Sequence, residues 1–206
     1  MLITKDFNTL QADIEACRHL RLHAVVSSEI DSDTKALIYE SILLRGFRSY
    51  ENAIEALFLD YLTGETKPDG TPVLTFVSPK DLAHARKLIH SSRNARHLDW
   101  ASVETVRARC QVFLEQDDPI YTAIVDRTNE LTWMRKVRNH IAHNSVESAL
   151  QYESVLTNIL LTKPEPFLRA GSFLQMIPTS GPIKGREVLA YFLDTVESVA
   201  RTAAAI

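Results

Sequence analysis

The sequence predicts an all-α protein, an antiparallel helical bundle with long helices and an irregular C-terminal connector. Three observations predict it. Apolar residues recur at the helical period along most of the chain. Breakers are scarce: 6 glycines and 8 prolines in 206 residues, well below the roughly 12% that is usual. One stretch alone, Val73 to Val77, reads as a strand, and the sequence offers it no partner. The length suits one packed domain, with a core expected at about 30–162.

The elements follow from spacing and caps. A first helix is expected over about 5–26, with Phe7, Leu10, Ile14, Cys17, Leu20 and His23 or Ala24 along one stripe. Asp31, Ser32 or Asp33 is placed to cap a second helix to about Leu62. Its inward positions are Leu37, Ile38, Ile42, Leu43, Phe47, Tyr50, Ile54, Leu57, Phe58 and Tyr61, and Gly46 is a place for a bend. Gly64 ends it. Residues 64–79 form a turn-rich loop around Pro68-Asp69-Gly70. Ser78-Pro79 is read as the opening of a third helix to about His90. Asp99 or Ser102 caps a fourth, with Val103, Val106, Cys110, Phe113 and Leu114 inward. Asp118-Pro119 opens a fifth that runs on through Leu131, Met134, Val137 and Ile141. A sixth covers about 146–161. Residues 162–185 hold four prolines and three glycines and form an irregular segment that packs back through Phe167, Phe173, Leu174, Met176 and Ile177. A terminal helix spans about 185–203.

Charge and cysteine content narrow the function. With 23 Lys+Arg against 26 Asp+Glu the net charge is −3, and the pI is near 6.2. A polynucleotide therefore has to be held by a local patch and not by bulk charge. Cys17 and Cys110 are too few for a disulfide framework and read as buried thiols in a reducing compartment. Lys5 and Asp6 stand where a signal peptide needs apolar residues, and no apolar run approaches the ~18 residues of a membrane span. A cytoplasmic protein with no membrane contact is expected. Gly-rich phosphate loops, paired-carboxylate patterns and nucleophile elbows are missing from the sequence, and no cofactor is expected.

The chemistry concentrates at the end of the fifth helix, in Arg138-Asn139-His140-Ile141-Ala142-His143. At 100° per residue Asn139 and His143 share a face, with Lys136 beside them and Met134, Val137 and Ile141 opposite. Arg138 falls at the edge of the apolar stripe, where an unpartnered guanidinium would cost several kcal/mol. Glu51 or Glu55 of the second helix is the natural partner, and an Arg138–Glu51 contact is expected. His140 stands one turn before His143; with no Cys or acidic ligand nearby the pair is not a zinc pattern. No metal is expected there, and His140 is read as a contact to substrate or to a partner subunit. A second cluster, His84 to His97, carries Arg86, Lys87, Arg93 and Arg96 without one acid. It is either a solvated face or the local patch for a phosphate backbone.

The Arg-Asn-His-Ile-Ala-His run resembles the signature of the HEPN superfamily (higher eukaryotes and prokaryotes nucleotide-binding domains). In that pattern an Arg, with a polar residue next to it, is followed by a His after four to six intervening positions. Arg138, Asn139 and His143 match it, and Glu51 resembles the acid on the family's long early helix. The resemblance covers about 30–162, and the C-terminal segment resembles the tail of the RiboL-PSP-like HEPN branch. It implies a metal-independent endoribonuclease of toxin or anti-phage defence type, acting as a homodimer on RNA, with an antitoxin or regulatory protein as a further partner. Arg138, Asn139 and His143 would be catalytic, Glu51 and His140 supporting, and Lys136, Arg86, Lys87, Arg93 and Arg96 RNA-binding. The same resemblance admits two other roles: a catalytically silent module that dimerises or holds a partner, and a nucleotide-binding partner of a nucleotidyltransferase.

Overall fold

The computed structural model describes residues 2–90, 99–115 and 118–206. Among these the chain is all-α. Its helices are α1 (Leu2–Val26), α2 (Ser32–Leu62), α3 (Leu82–Ile89), α4 (Val103–Phe113), α5 (Pro119–Asp126), α6 (Thr128–His143), α7 (Val146–Leu160), α8 (Ala170–Gln175) and α9 (Val188–Ala203). None of them is long and apolar enough to cross a membrane. The chain divides into two compact units: Met1–Ala12, Ser49–Leu131 and Glu197–Ile206 form the first, and Asp13–Arg48 with Thr132–Val196 the second.

In the first unit the apolar face of α2 forms the core through Ile54, Leu57, Phe58 and Tyr61. Phe58 meets Trp100 at 5.3 Å and Phe113 edge-on at 6.2 Å. The Tyr61 hydroxyl donates to the Ala203 carbonyl at 2.8 Å, which supplies the partner a buried phenol needs. Ser102 caps α4 by accepting from the Thr105 amide, and Asp118 caps α5 by accepting from Ile120 and Tyr121, with Pro119 in the first turn. Pro68-Asp69-Gly70 makes the expected turn, with Gly70 at φ +84°.

Three expectations for this unit are corrected. The third helix starts at Leu82 and not at Ser78-Pro79, because the Asp81 carboxylate takes the His84 amide and so sets the boundary. The extended stretch around Val73–Val77 does have a partner, the chain leaving α4. The Phe76 amide donates to the Phe113 carbonyl at 3.0 Å and the Glu115 amide to the Leu74 carbonyl at 2.9 Å. The fifth predicted helix is two helices, α5 and α6, parted at Arg127. There the Thr128 hydroxyl bonds back to the Ile124 and Val125 carbonyls, satisfying groups that a broken helix leaves open.

In the second unit Ile14, Cys17, Ile42, Leu43 and Phe47 are buried with Tyr152, Val155, Leu156, Phe173 and Leu193. Gly46 sits inside an unbroken α2, where a Cβ would come within 2.9 Å of the Leu193 side chain and 3.5 Å of Ile14; close packing explains it. Ser145 and Ser148 form a reciprocal capping box that starts α7. The irregular C-terminal segment contains α8, held by the Gly171 amide donating to Glu40 Oε1 at 2.9 Å. Phe173 and Leu174 pack inward as expected, whereas Phe167 and Ile177 are exposed, as are Leu20 and Leu37. Periodicity identifies a helix's apolar face but not whether another element reaches it.

Both cysteines are free and buried, one in each unit. Cys17 Sγ faces the Ile42 carbonyl at 3.9 Å. Burial pushes both thiols up, and at Cys110 the neighbouring Asp118 carboxylate adds to it.

Candidate functional site

The motif lies on the last two turns of α6. Leu131, Met134 and Val137 are buried, and the next member of that stripe is His140, at 9% exposure, while Ile141 is only half-buried. His140 thus takes the inward place that spacing assigned to Ile141. The offset is small: a row of three-residue steps drifts around the helix, and a polar ring has replaced the last apolar side chain.

Arg138 and Asn139 are half-buried neighbours joined directly, Arg138 Nη1 donating to Asn139 Oδ1 at 2.9 Å. Lys136 Nζ donates to Ser154 Oγ of α7 at 3.2 Å. His143 is the last residue of α6 and is exposed. The helix stops there because Asn144 adopts a left-handed φ of 44°, with its amide returned to the His140 carbonyl at 2.9 Å.

The His140 ring stacks on Tyr152, centroids 4.6 Å apart and planes within 6°, and Phe167 stands edge-on to it at 6.0 Å. Its Nδ1 is sealed from solvent with no hydrogen-bond partner, an omission that typically costs about 1–3 kcal/mol. Burial pushes its pKa down against an upward pull from Glu40. Beside it is a cavity of about 300 Å³ lined by Glu40, His140, Asn144, Phe167 and Arg169 among others. Sequence reasoning did not assign Glu40, Phe167 or Arg169 to a site. Glu40 reads as one more polar interruption of α2, and Phe167 as a packing residue of the connector, so no local signal was available.

The structure gathers Lys136, Arg138, Asn139, His140 and His143 on one helix of the second unit. Glu51, half-buried on α2, and Arg86 and Lys87, exposed on α3, belong to the first. The Arg138–Glu51 pairing stays an expectation. Arg93 and Arg96 lie outside the described residues. Among the described residues no group of three His, Cys, Asp or Glu side chains is arranged to hold a metal ion. No protein-family model matches the chain, nor does any curated protein or solved structure.

Proposed function

We propose that the chain is a metal-independent endoribonuclease of the HEPN type, cutting RNA through its own 2′-hydroxyl. The observation that carries this reading is the end of α6: a guanidinium fixed by Asn139 at 2.9 Å, followed one turn later by the exposed imidazole of His143. Transesterification needs a base for the 2′-proton, an acid for the 5′-leaving oxygen and positive charge for the phosphorane. An imidazole ordinarily titrates near neutrality and can serve as either proton carrier. Arg138 supplies donors to the non-bridging oxygens, and Asn139 holds it in place.

One imidazole does not readily make both transfers. In the proposed enzyme two copies of the chain place one His143 each at a shared cleft, related by a two-fold axis. Arg86, Lys87 and the further basic residues of that run would add attraction for the phosphate backbone. A toxin or defence nuclease of this kind acts under an antitoxin or other restraint, and the cytoplasm is where its RNA would be met.

The test is cleavage of a mixed-sequence RNA in EDTA by the purified chain. The products expected are a 2′,3′-cyclic phosphate and a 5′-hydroxyl. His143→Ala should lower the rate by roughly 10²–10⁴ while leaving the helical circular dichroism unchanged. Full activity of that variant would end the assignment, as would activity that vanishes on chelation.

A further inference from the structure

We propose that the cavity beside His140 is a guanine-binding subsite for the nucleotide next to the scissile phosphate. The choice of RNA as the source of the base rests on the ribonuclease reading; the base preference rests on the cavity alone. Glu40 presents a carboxylate whose orientation is already set, since Oε1 accepts from the Gly171 amide at 2.9 Å. A carboxylate reads adjacent N–H donors. Guanine alone among the four bases offers two side by side, N1–H and N2–H, on its pairing edge. Adenine and cytosine set one donor beside an acceptor, and uracil sets its single donor between two acceptors. The carboxylate therefore favours guanine and repels part of each other base.

The remaining walls suit a planar ring with a phosphate attached. Phe167 is a 51% exposed aromatic that stands roughly perpendicular to the His140 and Tyr152 rings, at 6.0 and 5.7 Å, and its solvent-facing surface can stack a base. Arg169 stands at the rim with its side chain 57% exposed and one nitrogen on Asp33 at 2.8 Å; its other donors are left for a phosphate. Asn144 also lines the cavity and directly follows His143 in the chain, so a base bound here lies beside the C-terminal end of α6, where the proposed chemistry lies.

Titration of the full chain with 5′-GMP, 5′-AMP, 5′-CMP and 5′-UMP, followed by calorimetry and by the aromatic proton resonances, decides this without any cleavage step. GMP is expected to bind at least ten-fold more tightly than the other three. Glu40→Gln keeps an oxygen for the Gly171 amide but turns the other into an N–H donor, and should weaken GMP at least ten-fold. Phe167→Ala should weaken all four nucleotides together. Thermal melts that match the parent chain establish that both variants fold. Equal affinity for the four nucleotides, or GMP binding indifferent to Glu40→Gln, overturns the subsite. The two readings separate cleanly: selective GMP binding by a chain that cuts no RNA removes the nuclease and keeps the guanine pocket, and RNA cleavage without selective binding does the reverse.

Discussion

Arg21 and Glu187 show what a charge inside this protein requires. Their side chains are 19% and 14% exposed, 2.9 Å apart, and the Tyr39 hydroxyl also donates to Glu187 Oε2, at 3.3 Å. Burial lifts the Glu187 carboxyl above the ordinary carboxylate range, and the Arg21 charge and the two side-chain hydrogen bonds pull it back. Such a pair adds little over an apolar one, yet breaking it leaves a stranded ion. Glu187→Ala should therefore destabilise the chain by about 1–3 kcal/mol, seen as a lower urea midpoint. Sequence gave no warning of this pair, whose members are far apart along the chain. Arg138 and His143 were legible for the opposite reason, since six positions of one helix hold the whole motif. The pocket around His140 was not legible, because Glu40, Phe167 and Arg169 converge only when α2 and the connector fold beside α6.

At the level of elements, termini written in short polar side chains were readable. Ser102 and Asp118 cap as expected, because a hydroxyl or carboxylate two or three residues ahead of free amides has one obvious use. Rival caps were harder: Ser78-Pro79 and Asp81 each satisfy the rule, and only the folded chain selects Asp81. The α5–α6 break was hidden because its apolar spacing continues from Ile120 to Val137. The six residues of α8 offered too short a pattern to read at all, and their position depends on Gly171. A Cβ there would overlap the Ala36 backbone carbonyl of α2. Gly171→Ala should cost about 2–3 kcal/mol, measured by thermal or urea unfolding, even though alanine is the better helix former.

For the molecule as a whole, pH dependence is set partly by a carboxyl that is not part of the motif. Asp60 is 8% exposed; burial first, then the hydrogen bond and like charge of Asp6, push it up to about 7. The unfolded chain releases this proton near pH 4 and the folded chain retains it to about 7. The folded state thus binds the extra proton, and stability falls as pH rises through that window. Asp60→Asn should raise the unfolding free energy at pH 8 by about 1–3 kcal/mol and leave it little changed at pH 4. All-α architecture was legible at this scale from breaker scarcity alone, whereas the division into two units was not, since it depends on contacts between distant stretches. That division, with Cys17 in one unit and Cys110 in the other, equips the chain with two native reporters. A thiol-modifying reagent reaches either sulfur only after the surrounding helices part, so single Cys→Ser chains clock the breathing of each half separately, with no label engineered in.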